Sequence, residues 1–222
     1  MQFYDVLASL IHDMKNSLSM VVHTLEQLTD DPSFQYDKPE KVTALQNEAK
    51  RLNNNLIELL TLYKIENERI SPTIEDVDVA NFLEEVVAEN HASAEANHID
   101  LIYECDPDLY GYFDEGLVRG VMNNLVGNGL RYTHNKLRIS AAEEDGFLVF
   151  RVEDNGAGFP KGMLATQSSL DLHRDIAEGR TQLGLYFATL IAEMHKNREQ
   201  TGFIKLENGY KLPGGCFSVW LP

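Results

Sequence analysis

Asn124-Leu125-Val126-Gly127-Asn128-Gly129-Leu130-Arg131-Tyr132, followed downstream by Asp154-Asn155-Gly156-Ala157-Gly158-Phe159, decides how this chain reads. Asn124 and Asn128 are four residues apart, so on a helix they share one face. Two amide oxygens on one face can hold a hydrated divalent cation together with phosphate oxygens. Arg131 lies one turn further on and supplies positive charge for phosphate; Tyr132 offers an aromatic wall. Asp154 closes the apolar run Phe147–Glu153. A carboxylate there can accept the exocyclic amine of adenine, and Gly156 and Gly158 permit backbone conformations closed to other residues. Taken singly, the asparagines read as solvated helix surface and the Asp-Gly stretch as an ordinary strand-end turn. Together they point to a nucleotide pocket.

Around this stretch the pattern mixes helix and strand. Leu117–Tyr132 reads as a helix with Val118, Val121, Met122, Leu125 and Leu130 on its apolar face. Lys136–Ser140 and Phe147–Glu153 read as strands joined by a tight turn at Asp145-Gly146. Val79–Val87 reads as a short amphipathic helix and Ile99–Tyr103 as a strand. Phe203–Leu206 and Cys216–Leu221 read as closing strands around Gly214-Gly215. Residues 160–182 are polar and irregular, which suits a mobile segment. At Leu183-Gly184-Leu185 the chain enters an apolar helix, Leu183–Met194, whose N-terminus would present free backbone amides to phosphates. Runs of strands and helices without strict alternation predict an α+β layered sandwich.

Upstream of Ser71-Pro72, which breaks the pattern, periodicity is purely helical. Apolar residues recur three and four apart from Phe3 through Met14 and Val21 to Leu28. After a turn-rich break they recur again at Val42, Leu45, Ala49, Leu52, Leu56, Leu59 and Tyr63. Residues 1–70 are therefore expected to form an antiparallel helical hairpin, and residues 72–222 a second domain. A lone hairpin cannot cover a stripe that spans both helices. A second copy would complete a dimeric four-helix bundle, so a homodimer is expected; the alternative is a monomer whose hairpin packs on residues 72–222.

His12 sits about 200° around the helix from Leu10 and Met14, away from the apolar seam. A neutral imidazole is a competent nucleophile near working pH. Asp13 can orient the ring and take its proton, and Asn16, one turn on, can hold a water or a phosphoryl oxygen. Without the downstream pocket, this would be an ordinary surface histidine.

The charge balance excludes one class of function. With 35 Asp+Glu against 19 Lys+Arg the net charge is −16, spread along the chain, and non-specific nucleic-acid binding would need the opposite sign. Cys105 and Cys216 lack metal-ligand spacing and fit a reducing, cytoplasmic compartment. No run approaches the roughly 20 apolar residues of a membrane span, so a membrane sensor, where one belongs to the protein, is expected outside this chain.

The order of these features resembles the sensor histidine kinases of two-component systems. His12-Asp13-Met14-Lys15-Asn16-Ser17-Leu18 is similar to their phosphoacceptor box and Asn124–Thr133 to their asparagine box. Asp154–Pro160 is similar to their first glycine box, and Arg180-Thr181-Gln182-Leu183-Gly184-Leu185 stands in the place of the second. The resemblance implies a dimerisation and histidine-phosphotransfer hairpin over 1–70. It also implies, over 72–222, an ATP-binding catalytic domain with the sandwich of gyrase, heat-shock chaperone and mismatch-repair ATPases. It further implies ATP and Mg²⁺ as ligands and His12 as the phosphorylated residue, with Asp13 as its base. Asn128 would be the chief metal ligand, with Asn124 beside it. Arg131 would meet phosphate, Tyr132 would pack by the nucleotide, Asp154 would read adenine, and residues 160–182 would form a lid. A response-regulator receiver domain is the implied partner, and Asp13 and Asn16 match the pattern that supports dephosphorylating that regulator, with Asn16 orienting the attacking water.

The chain also departs from the family pattern. Ser17 stands where many members have proline, which implies a milder helix bend. The second glycine box keeps only Gly184, with Arg180 and Gln182 in place of two glycines. That departure leaves open a degenerate dimeric docking scaffold. An ATP-independent phosphotransferase and an ATP-driven conformational machine are further alternatives; the intact asparagine and Asp154 sets speak against the first, and His12-Asp13 against the second.

Overall fold

The computed structural model describes residues 11, 14–16, 18–25, 39–66, 70–165 and 183–222. Two compact units divide the chain, Met1–Ile70 and Ser71–Pro222.

In the first unit residues 18–25 are helical and helix α1 runs over Pro39–Glu66. The Ser19 hydroxyl donates to Asn53 Oδ1 at 3.2 Å, linking the two helical stretches. The expected single apolar seam is divided. Ala49 and Tyr63 are buried, as are Ile11 and Leu62, which the seam did not include. Leu45, Leu52 and Leu59, each seven residues from the next, are 56%, 44% and 41% exposed, and Met14 and Val21 are exposed as well. One contact between two helices is narrower than a stripe with residues at every third and fourth position, so part of the stripe faces outward.

In the second unit a five-stranded sheet takes the order β2-β4-β5-β9-β8: Asp100–Glu104, Lys136–Glu144, Phe147–Asp154, Gly215–Leu221 and Phe203–Asn208. β2 runs parallel to β4 and the other neighbours are antiparallel. The β4–β5 turn is Asp145-Gly146 with both φ values positive, at 51° and 79°, the two-residue geometry read from the sequence. Helices α2 (Val79–Ala96), α3 (Glu115–Tyr132) and α5 (Leu183–Met194) pack on one face of the sheet; α4 is the short Lys161–Ala165. Phe82 of α2, Phe113 and Phe150 of β5 meet edge to face, with ring centroids 5.3 to 5.6 Å apart, at the centre of a core that includes Leu83, Met122, Leu137 and Ile191.

Three elements differ from expectation. α2 continues to Ala96 rather than stopping near Val87, because Ala and Glu sustain a helix where the apolar period lapses. The α3 core face uses Val126 and leaves Leu130 half-buried. Two short strands escaped the sequence pattern: β1 (Glu75–Asp78) and β3 (Tyr110–Phe113) pair antiparallel as a separate ribbon. A second small ribbon pairs β6 (Lys196–Asn197) with β7 (Gln200–Thr201).

The opposite face of the sheet is polar and its charges are paired. Arg138 bonds the fully buried Glu153 and, at 2.6 Å, Glu104; Arg151 makes a two-point contact with Glu144 at 2.7 and 2.6 Å. Partnering of this kind makes a buried charge tolerable.

Candidate nucleotide site

The site is assembled where α3, the end of β5 and the start of α5 converge. Asp114 caps α3, its Oδ1 accepting the Leu117 N–H at 2.9 Å. Buried Val121, Met122, Leu125 and Val126 fix the rotation of that helix. Asn124 and Asn128 are thereby placed one turn apart, half-buried and exposed respectively, and Asn128 Nδ2 donates to Asn124 Oδ1 at 3.0 Å. This bond turns the Asn128 oxygen away from its neighbour. A hard oxygen donor so oriented fits a divalent cation that keeps waters and phosphate oxygens in its shell.

Gly184, at the start of α5, meets the same amide pair. A Cβ there would stand 2.6 Å from Asn124 Oδ1. The structure thus joins Gly184 to Asn124, which lie 60 positions apart. Leu183 is half-buried and Leu185 is buried in the core, so at those two positions the backbone, not the side chain of Leu185, can line the site.

Asp154 ends β5 on the helix-covered side, opposite Leu137 in the register. Its Oδ1 accepts the Gly156 N–H at 2.7 Å, and Oδ2 has no protein partner among the described residues. Glycines crowd around it. A Cβ on Gly214 would overlap Asp154 Oδ1, one on Gly215 would stand 2.9 Å from Oδ2, and one on Gly156 would overlap the Tyr132 carbonyl oxygen. Close approach of this kind excludes side chains and leaves one carboxylate oxygen as an acceptor. Gly158 adopts φ 75°, the left-handed conformation that glycine favours.

Asn155 ties this loop to the end of α3. Its Oδ1 accepts the Thr133 hydroxyl (2.8 Å) and the N–H groups of Asn135 (3.1 Å) and Lys136 (3.0 Å), while its Nδ2 donates to Asn135 Oδ1 at 2.7 Å. Arg131 and Tyr132, at the end of the same helix, are exposed, the guanidinium 5.6 Å from the Tyr132 ring centroid. Sequence reasoning did not assign Asn155, Asn208 or Gly214 to the site. Only the Gly214-Gly215 doublet at the start of a strand could have signalled the last. His12 and Asp13 lie outside the described residues, as do residues 166–182 of the 160–182 segment expected to form a lid; Asn16 is helical and exposed.

Two concavities lie elsewhere. One, about 510 Å³, is lined by Tyr110, Tyr112, Leu148 and His195; the other, about 550 Å³, lies on the polar sheet face around Arg138, Arg151 and Tyr210. Neither brings an unpaired acceptor together with an amide pair, and the arginines of the second are already bound to carboxylates.

Residues 113–222 match the family model described as histidine kinase-, DNA gyrase B- and HSP90-like ATPase. The sensor-like histidine kinase SenX3 of Mycolicibacterium smegmatis is 27% identical over 86% of this chain and 51% of its own length. The adaptive-response sensory kinase SasA of Synechocystis is 29% identical over 87% of this chain and 54% of its own. The chain thus spans about half the length of these curated relatives. Among solved structures, the Acinetobacter baumannii histidine kinase AdeS superposes with a TM-score of 0.61 at 20% identity, covering 95% of this chain and 96% of that one. Full-length ShkA, solved in complex with AMPPNP, gives 0.65 at 20% identity over 98% of this chain and 45% of that one. Residues 113–222 therefore belong to the histidine kinase-, gyrase- and HSP90-like ATPases, and the chain takes its place among the sensor histidine kinases of two-component systems.

Proposed function

We propose that this chain is the kinase core of a two-component sensor, transferring the γ-phosphoryl group of Mg-ATP to His12 and then to an aspartate of a response regulator. The observation that carries the nucleotide part is Asp154: one oxygen braces its own loop, the other has no protein partner among the described residues, and Gly156, Gly214 and Gly215 clear the space around it. A carboxylate so placed reads the exocyclic amine of adenine. Asn128, with Asn124 beside it, would hold Mg²⁺, which offsets the charge of the triphosphate when bound. Arg131 meets phosphate oxygens, Tyr132 flanks the nucleotide, and the backbone from Leu183 through Gly184 to Leu185 lines the phosphates.

In the transfer a His12 ring nitrogen forms the new bond to the γ-phosphorus as the bond to the β–γ bridging oxygen breaks, and ADP leaves. Asp13 accepts the ring proton. Exposed Asn16 is accessible to a receiver domain and supports a regulator-phosphatase role by orienting a water.

The functional unit is a homodimer. Leu45, Leu52 and Leu59 form an exposed heptad row, and a second copy laid against it completes a four-helix bundle. We place the chain in the cytoplasm. Cys105 and Cys216 are free thiols, with pKa values pushed up to about 11 and about 12, chiefly by burial. Among the described residues no helix is long and apolar enough to cross a membrane.

The decisive experiment incubates the protein with γ-labelled ATP and Mg²⁺ and follows acid-labile, base-stable label. Label on the wild type that is lost in His12→Ala and in Asp154→Ala is the expected result. Label acquired only from a phosphorylated regulator would instead identify an ATP-independent phosphotransferase. Absence of both label and nucleotide binding would identify a docking scaffold.

A further inference from the structure

Asn208, the last residue of β8, reaches across to the glycine loop 49 positions upstream. Its Oδ1 accepts the Phe159 N–H at 2.8 Å, and its Nδ2 donates to the Phe159 carbonyl at 3.0 Å. A single amide bonding both backbone groups of one residue reproduces the two-point pairing that a neighbouring strand would provide. The fit is close: a Cβ on Gly158 would stand 2.8 Å from Asn208 Oδ1. Aspartate cannot donate, and alanine can make neither bond.

The turn that follows Asn208 closes on the other end of the same loop. The Gly209 N–H donates to the Gly214 carbonyl at 2.9 Å, and the Gly214 N–H donates to the Asp154 carbonyl at 3.0 Å. From the polar side of the sheet, buried Glu153 accepts the Lys211 N–H at 2.9 Å, and Tyr210 lies with its ring centroid 4.9 Å from the Arg151 guanidinium. One turn thus grips residues 154–159 at both ends, by Gly214 at Asp154 and by Asn208 at Phe159. Between those grips lie Gly156 and the carboxylate oxygen that has no protein partner among the described residues.

We propose that Asn208 is a positioning residue for nucleotide binding, holding the Gly158–Phe159 peptide so that the loop from Asp154 is shaped before the nucleotide arrives. The role rests on the nucleotide function proposed above. Asn208 touches no reacting atom; it acts through Phe159 and Gly158. It is exposed, so its replacement leaves the core intact.

The test uses the full chain with Asn208→Ala and Asn208→Asp. Amide hydrogen exchange at Phe159 is measured without nucleotide, Mg-ADP affinity by calorimetry, and the ATP dependence of labelling by initial rates. Asn208→Ala is expected to lose protection at Phe159 and to raise the ADP Kd and ATP KM about tenfold, the scale of one lost net hydrogen bond. Labelling at saturating ATP should stay within about twofold of wild type, since binding and not the chemical step is affected. Asn208→Asp keeps the acceptor but sets a carboxylate against the Phe159 carbonyl, and should bind at least as weakly as the alanine variant. Unchanged Phe159 protection, unchanged Kd and KM, or a fall in the saturating rate with KM constant would each overturn the assignment. If the wild type itself binds no ADP, the nucleotide function fails with it. Wild-type binding that the variants match removes the role of Asn208 alone.

Discussion

Gly184 lies against the amide of Asn124, so that a methyl group on the first would stand 2.6 Å from the oxygen and 2.8 Å from the nitrogen of the second. The obstacle is the end of a side chain, which can swing away, so Gly184→Ala is expected to fold. Displacing that amide breaks its 3.0 Å bond with Asn128 and disturbs the pair proposed to hold Mg²⁺. Nucleotide affinity should fall about tenfold, the scale of one lost net hydrogen bond, while the melting temperature changes little. In an Asn124→Ala background the same glycine substitution should cost nothing further, because the clash is gone. Calorimetry on the four proteins of that cycle checks both statements.

The parts of this site that were legible in the sequence are local ones. Asn124 and Asn128 share a face through helical period alone, and Asp154 ends a run of apolar residues that announces its own strand. Asp145-Gly146 announces its own turn, and the helix at Leu183 is predominantly apolar. The rest depends on distant pairing. Glu75–Asp78 is poor in strand-forming residues and becomes a strand only against Tyr110–Phe113. Asn208 and Gly214 reach Phe159 and Asp154 only because β9 lies beside β5 with Glu153 opposite Cys216, a register that no window around residue 208 contains. The exposed face of the hairpin was hidden for a related reason. Periodicity marks Leu52 and Ala49 alike as apolar, and only packing separates the outward residue from the inward one.

Asn155 holds three donors on one oxygen, and the groups it holds connect the end of α3 to the glycine loop. Asn155→Ala takes the acceptor from the Asn135 N–H, leaves the Lys136 N–H only its longer bond to the Thr133 hydroxyl oxygen (3.3 Å), and strips the Thr133 hydroxyl of one of its two acceptors. A loss of about 1–3 kcal/mol in unfolding free energy is expected, in the range for unsatisfied part-buried groups. Asn155→Asp keeps an acceptor and should lose less. Urea denaturation of the isolated 71–222 unit and of the whole chain, followed through Trp220 fluorescence, measures the difference.

His195 gives the fold an acid-side limit. The buried ring accepts the Asp114 N–H at Nε2 (3.0 Å), so Nδ1 carries the proton and donates to the Ile191 carbonyl at 2.7 Å. Burial holds its pKa below the usual imidazole value; the Ile191 carbonyl and the charge of Asp114 act in the opposite direction and are outweighed. Below about pH 6.5 the unfolded chain therefore takes up a proton that the folded chain refuses. Stability is expected to be fully present above that pH and to fall as pH drops toward the lowered folded value. Glu104, held below the ordinary carboxylate range first by its hydrogen bond from Arg138 and then by that from Lys211, begins to lose its contribution only below that range, in more acid solution than the pH at which the His195 effect begins. The urea midpoint should decline between pH 7 and 5 in the wild type. In His195→Gln that slope should flatten, on a lower baseline at pH 7.5.

Leu52 stands in the middle of the exposed row Leu45, Leu52, Leu59, and it is 44% exposed in the single chain. Three leucines on one edge of a hairpin, with Met14 and Val21 also open to solvent, form an apolar surface that association would remove from water. Complete burial of one such side chain is worth about 1.5–3 kcal/mol, and each subunit contributes one at every level of a two-fold interface. Leu52→Glu places a charge on both sides of that contact. The variant should sediment as a monomer at concentrations where the wild type is a dimer, and the wild-type mass should fall on dilution. Nucleotide affinity should be retained, because Asn124, Asp154 and Gly184 all belong to the other unit. A wild type that is monomeric at every accessible concentration, or a Leu52→Glu protein that remains dimeric, would rule out this face as the interface.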